Sequence, residues 1–265
     1  MIKAEQILTA ATPAQWAALL QAENQRYEYF DVLFEQALFS DREIQKIKRQ
    51  YHAMNDFIVL AGTQHADSAE IGPRLLRFPL ASSGALLDKA LITLFNKTKP
   101  VFLLGGLAFE SIAEHIQRCT LVEWDDARQN GILRFSDSRL FAVIADALNS
   151  EAQAFLLSAA PFWYWQDRDG NAQCFDNSMQ FYAENSLVWP HPGMVLEQKQ
   201  VDLLSAWHQA ELWRQNDMLY PELLGLDSQE KLMKKLVTAQ LAADQAGLWS
   251  ETERQPFLQQ QVGLK

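Results

Sequence analysis

Residues 189–193 read Trp-Pro-His-Pro-Gly, and the pattern of the chain differs on the two sides of them. Two prolines and a glycine within five residues break a helix or a strand. Before them, strand-like and helix-like patterns alternate. After them, every pattern is helical. This division predicts an α+β fold: an N-terminal lobe over residues 1–189, with a mixed sheet and flanking helices, and a helical lobe over 190–265.

On the helical side, Leu203, Ala206, Trp207, Ala210 and Trp213 make one amphipathic stripe, and Pro221 marks its end. Asp227 with Glu230 reads as the cap of a second helix bearing Leu232, Leu236, Ala239, Ala243 and Ala246, stopped by Gly247. Ser250 with Glu253 opens a third, ending near Gly263. Met233, Val237 and Leu241 form a further stripe beside Leu232 and Leu236. So small a lobe cannot bury both stripes within itself. The expectation is that one packs on the sheet lobe and part of the other receives a partner in the groove between the lobes. Trp207, Met233 and Val237 are the candidate contacts there.

In the N-terminal lobe, Thr12, Pro13 and Gln15 supply a cap, a proline at the first helical position and a capping box for a helix carrying Trp16, Leu19 and Leu20. Phe30, Val32 and Phe34 alternate along a strand over 27–34. A short helix is expected over 40–49, a strand over 57–60, and another over 74–80 after the Gly72-Pro73 break. Ser83 reads as the cap of a helix with Leu86, Leu87, Ala90, Leu91 and Leu94, and 101–104 as a buried strand. Phe109, Ile112, Ala113 and Ile116 have helical spacing. A hairpin over 120–135 and a helix capped by Asp137 follow. Residues 155–182 read as mostly extended, turning at Asp167-Arg168-Asp169-Gly170.

The charge balance limits function. The net charge of the 265-residue chain is −10, which disfavours a nucleic-acid partner, and Lys46-Ile47-Lys48-Arg49 reads as a solvated helix face. With 48% hydrophobic residues the chain can bury a sizeable core. Cys119 and Cys174 stand outside any CxxC spacing and read as buried, reduced thiols. The N-terminus lacks a signal-peptide pattern, and no apolar run approaches the ~20 residues of a membrane span. A cytoplasmic protein without membrane insertion is expected.

No P-loop, dinucleotide, nucleophile-elbow or HExxH motif occurs. Leu104-Gly105-Gly106-Leu107 reads as a tight turn, His115 as a core histidine, and the paired aspartates as turn residues. The expectation is a protein that is not an enzyme, with no cofactor and no metal. Two features stand out. Phe162-Trp163-Tyr164-Trp165 puts two aromatics on each face of a strand, either within the core or as a docking platform through Trp163 and Trp165. Arg134-Phe135-Ser136-Asp137-Ser138-Arg139-Leu140 places an Asp cap between arginines, as a structural knot or a contact surface through Arg134, Asp137 and Arg139.

That second segment resembles the R-F-[YF]-D-P-R-[VL] signature of the type VI secretion effector adaptors, the Tap or Tec proteins, first catalogued as a domain of unknown function. Further segments follow in that family's order: Tyr29 to Leu33, Gly62-Thr63, Ile71 to Leu76, His115 to Arg118, Phe162, and Ala246 to Glu253. Ser136, Ser138 and Gln117 depart from the pattern, standing where it has an aromatic, a proline and an arginine. The resemblance implies a cytoplasmic, non-catalytic adaptor or chaperone. Its partners would be a cognate effector protein and the VgrG spike protein onto which the effector is loaded. The rival readings are a small-molecule or glycan-processing enzyme using the aromatic strand and nearby acids, and a structural subunit of an assembly. An enzyme should show a deep pocket of converging polar groups, and an adaptor a broad groove or exposed apolar patch.

Overall fold

The computed structural model describes residues 2–81, 84–105, 107–183 and 190–264. Ser83, Gly106 and Trp189 lie outside the described residues. The chain divides into two units, Met1–Val195 and Leu196–Lys265. In chain order the first comprises β1 (Glu5–Leu8), α1 (Pro13–Ala22), β2 (Tyr29–Glu35), α2 (Asp41–Gln50), β3 (Asn55–Ile58), β4 (Pro73–Pro79), α3 (Gly84–Phe95), β5 (Val101–Leu104), α4 (Phe109–Thr120), β6 (Leu121–Trp124), β7 (Gln129–Ile132), α5 (Ser138–Ala147), α6 (Ser150–Leu157), β8 (Phe162–Gln166), β9 (Ala172–Asp176), α7 (Ser178–Ala183) and β10 (Met194–Val195). The second comprises α8 (Gln198–Asn216), α9 (Gln229–Gln245) and α10 (Glu251–Val262). The fold is α+β.

Seven strands form one sheet in the order β1-β9-β8-β5-β2-β4-β3, every neighbouring pair antiparallel. Among the described residues, parallel pairing is confined to a second sheet, β10-β6-β7, where β10 runs parallel to β6. The alternation expected of β2 is present: Phe30, Val32 and Phe34 join Trp16 and Leu20 of α1 and Leu87 and Leu91 of α3 in one core cluster. Leu33, on the opposite face of β2, is equally buried. On that opposite side, Phe141 of α5 stacks on Trp163 at 5.2 Å and meets Trp165 and Phe175 edge-on. The sheet is thus covered by helices on both faces.

Local chemistry fixes the helix starts. Thr12 and Gln15 form the capping box of α1, with Pro13 in the first turn. Ser40 and Glu43 do the same for α2. In the helical unit the cap of α9 is Ser228, which accepts from the Lys231 amide, rather than Asp227, whose carboxylate is exposed and pairs with Lys231. A larger difference lies at α6, where the sequence reads as extended from 155 and the chain is helical from Ser150 to Leu157. Asn149 caps this helix two residues beyond the end of α5. Ala152, Phe155, Leu156 and Leu157 are all buried, so no polar face breaks the apolar run into a helical period.

Gly105 follows β5 with φ +81°, and a Cβ there would stand 2.2 Å from the Tyr27 ring. Only glycine satisfies both the left-handed backbone and the close approach.

Candidate functional site

The 134–140 segment links β7 to α5 and borders an open cleft of about 760 Å³. Asp137 is the N-cap of α5: its Oδ1 accepts from the Arg139 amide at 3.0 Å. The same carboxylate takes a forked pair from Arg139, Nε at 2.9 Å and Nη2 at 2.7 Å. Burial pushes the Asp137 carboxyl up, but the Arg139 hydrogen bonds and charge outweigh it and hold it below the usual 3.8.

The three positions that depart from the resembled signature each have a local partner. The Ser136 hydroxyl donates to Glu35 at the end of β2. Ser138 occupies the first position of α5, where a proline is also tolerated, and its hydroxyl donates to the Gln166 carbonyl at 3.0 Å. Gln117 of α4 donates to the carbonyls of Val59 and Ala61 at 2.7 and 3.1 Å, tying down the loop after β3.

That loop also lines the cleft, through Leu60, Ser68, Ile71 and Gly72. Gln36 anchors its far end: its side-chain amide donates to the Ala69 carbonyl, its backbone amide to Gly72, and its Oε1 accepts from Arg74. Arg74 in turn forks onto Asp56, which Lys48 also reaches at 2.6 Å. At Gly72 a Cβ would sit 2.6 Å from Leu60 Cδ1 and 3.1 Å from the Ser68 carbonyl, so a larger residue would have to displace the buried Leu60 side chain.

The charges in the cleft are layered. Arg134 and Arg139 expose 56% and 41% of their side chains, whereas their partners Glu35 and Asp137 expose 14% and 9%. Lys97 and Lys99 line the same cleft. Burial raises the Glu35 carboxyl above 4.5, with Ser136 and Arg134 opposing the rise only in part. Leu38 and Ile71 line the cleft while remaining 54% and 63% exposed.

Of the residues the sequence pointed to, the structure brings Arg134, Asp137 and Arg139 together at this cleft. Trp163 and Trp165 do not form a platform. Strand β8 lies between β5 and β9, α5 covers the face bearing both indoles, and Trp163 Nε1 donates to the Leu157 carbonyl at 3.0 Å. Trp207, Met233 and Val237 are buried rather than presented on the surface. They belong to the second unit, apart from the cleft residues. Glu35, Lys97, Lys99 and Leu38 carried no sequence signal, because they reach the cleft from distant strands and connections, and Ile71 was marked only as the start of a resembling segment.

His115 packs its ring against Phe155 at 4.5 Å and lies 3.3 Å from Cys119 Sγ, and burial lowers its pKa to about 4. Cys119 and Cys174 are buried and unlinked, with Cys174 pushed up to about 12 by burial. Among the described residues, no group of three or more His, Cys, Asp or Glu side chains could hold a metal ion, and no helix is long and apolar enough to cross a membrane.

A family model described as a domain of unknown function, DUF4123, matches residues 32–154. The match runs from within β2 into α6 and contains every residue that lines the cleft. No curated protein and no solved structure matches the chain.

Proposed function

We propose that the protein is a non-catalytic cytoplasmic adaptor that binds a cognate effector polypeptide and helps load it onto a VgrG-type secretion spike. The observation that carries this reading is the layered cleft: cationic head groups face outward, their carboxylate partners are tied beneath them, and exposed apolar side chains stand at the margin. Such a surface suits the reversible capture of a polypeptide. The ordered series of segments resembling the effector adaptors supports the reading, as does a domain match that contains the whole cleft.

The test is co-expression with the polypeptides encoded beside it, followed by size-exclusion chromatography at micromolar concentration. A shared peak with one of them is expected. Separate elution of every neighbouring product would count against the adaptor reading.

One observation favours the enzyme reading: Glu35 is shifted up and Asp137 down within a single cleft, the divergence that acid–base pairs use. Against it, Asp137 is held by both forks of Arg139, and the aromatic strand that would seat a sugar is covered. Turnover of a glycoside panel that is abolished by Glu35→Gln would establish the enzyme instead.

A further inference from the structure

We infer that the cleft takes an extended segment of the partner polypeptide in which a carboxylate side chain stands beside apolar ones, the carboxylate meeting Arg134 and the apolar side chains meeting Leu38 and Ile71. This rests on the adaptor reading and names the chemistry of the segment recognised.

The sign of the cleft runs against that of the molecule. On a chain of net charge −10, the cleft is lined by Lys97, Lys99, Arg134 and Arg139 against Glu35 and Asp137. Lys97 is offset by Glu43 at 2.6 Å, but at the two arginines the accessible layer is cationic, because Glu35 and Asp137 are the covered members of their pairs. Arg134 is the cation best placed to engage a ligand. Its Nη2 stands 3.7 Å from Glu35, longer than a charge-assisted hydrogen bond, while the Glu35 carboxylate already accepts from Ser136. Arg139, by contrast, is oriented by its fork onto Asp137, a fixed positive wall.

The apolar contribution is built in as well. Ile71 stands on the loop whose backbone Gln36 and Gln117 fasten to the body of the unit, so its exposed side chain projects from an anchored stretch of chain. Leu38 follows β2 in a short 3₁₀ turn. Gly72, next to Ile71, also lines the cleft, and a larger residue there would push against Leu60. A polyanion such as RNA would use the arginines and leave Leu38 and Ile71 without a role. An acidic, apolar peptide uses both.

The probe is a phage-displayed library of random 12-residue peptides selected on the immobilised full chain. The expected result is an enriched family carrying Asp or Glu next to Leu, Ile, Phe or Met. Its affinity should fall at least tenfold on Arg134→Glu and on Ile71→Asp, fall less on Arg134→Gln, and weaken with added salt. Both positions are exposed, and unchanged thermal midpoints confirm that the variants fold. Failure to enrich any family, an enriched family lacking carboxylates, or equal binding to Arg134→Glu would overturn the inference. Preferential binding of a fluorescent 20-nucleotide oligothymidine at the cleft would also overturn it. The co-expressed neighbour separates the two levels: if it still co-elutes with Arg134→Glu and Ile71→Asp, the adaptor reading stands and the cleft assignment falls.

Discussion

Asp31 of β2 and Arg77 of β4 face each other in register and are joined by two hydrogen bonds, Nε to Oδ1 at 2.8 Å and Nη2 to Oδ2 at 2.7 Å, in the interior of the sheet unit. The guanidinium lies 3.7 Å from the centre of the Tyr29 ring and donates to the Leu107 carbonyl at 3.1 Å. Burial raises the Asp31 carboxyl above 3.8 against the pull of Arg77. A pair this well desolvated and this well bonded adds little net stability, but removing one member leaves the other charged and unmatched.

Arg77→Met is therefore expected to cost about 3–5 kcal/mol at neutral pH, read by urea denaturation. The Asp31 carboxyl then rises further, so the deficit should shrink as pH falls and close below 3.8, where the carboxyl becomes protonated in the folded and the unfolded chain alike. The double variant Asp31→Leu/Arg77→Met should recover to within about 1 kcal/mol of the parent. A deficit independent of pH would mean that packing, not charge, was lost.

Asp137→Ala removes a helix cap and the fork that orients Arg139, and should cost about 1–3 kcal/mol. Asp137→Asn keeps the cap and should cost less. Because the folded carboxyl sits below 3.8, its contribution is fully present above that value and is lost as pH falls through the lower folded value. Thermal scans at pH 7 should show a midpoint lowered by roughly 2–12 °C, with the gap narrowing as pH falls below 3.8 through the lower folded value. An unchanged midpoint with lost partner binding would make Asp137 a contact residue instead.

Two tryptophans should behave in opposite ways. Trp163→Ala opens a cavity beneath Phe141 and should cost about 3–5 kcal/mol. Trp249 is 76% exposed, and Trp249→Ala should leave stability within about 0.5 kcal/mol. Chemical denaturation of both variants checks the contrast.

Gly105→Ala should lower stability by about 1–3 kcal/mol, since alanine must hold a φ of +81° and displace the Tyr27 ring. Adding Tyr27→Ala relieves the contact but not the backbone, so the pair should not return to the stability of Tyr27→Ala alone.

The elements legible in the sequence are those whose signals lie close together. Thr12, Pro13 and Gln15 define the start of α1 within four residues, and Phe30, Val32 and Phe34 define the buried face of β2. The cap of α5 was equally local. Helix α6 was hidden because Phe155, Leu156 and Leu157 run on into the apolar segment before β8 without a helical period, although Asn149 marks its start. The aromatic run could be read as a strand, but its covering depends on Phe141, which lies outside that segment. The cleft was half legible. Its motif is one segment, yet Ser136 meets Glu35 across 101 residues of chain, and nothing near Ser136 marks that meeting.

The placement of β1 at the margin of the large sheet sets the order of assembly during synthesis. Glu5 pairs with Cys174, so the first strand has no partner until β9 has left the ribosome. At typical translation rates that interval is on the order of ten to thirty seconds. Helix α1 and strands β2 to β5 can associate meanwhile, but β8 and β9 must emerge before the first strand can dock. The large sheet is therefore completed by its earliest-made strand, and a stall or cleavage upstream of residue 172 would leave that strand without a place in the sheet.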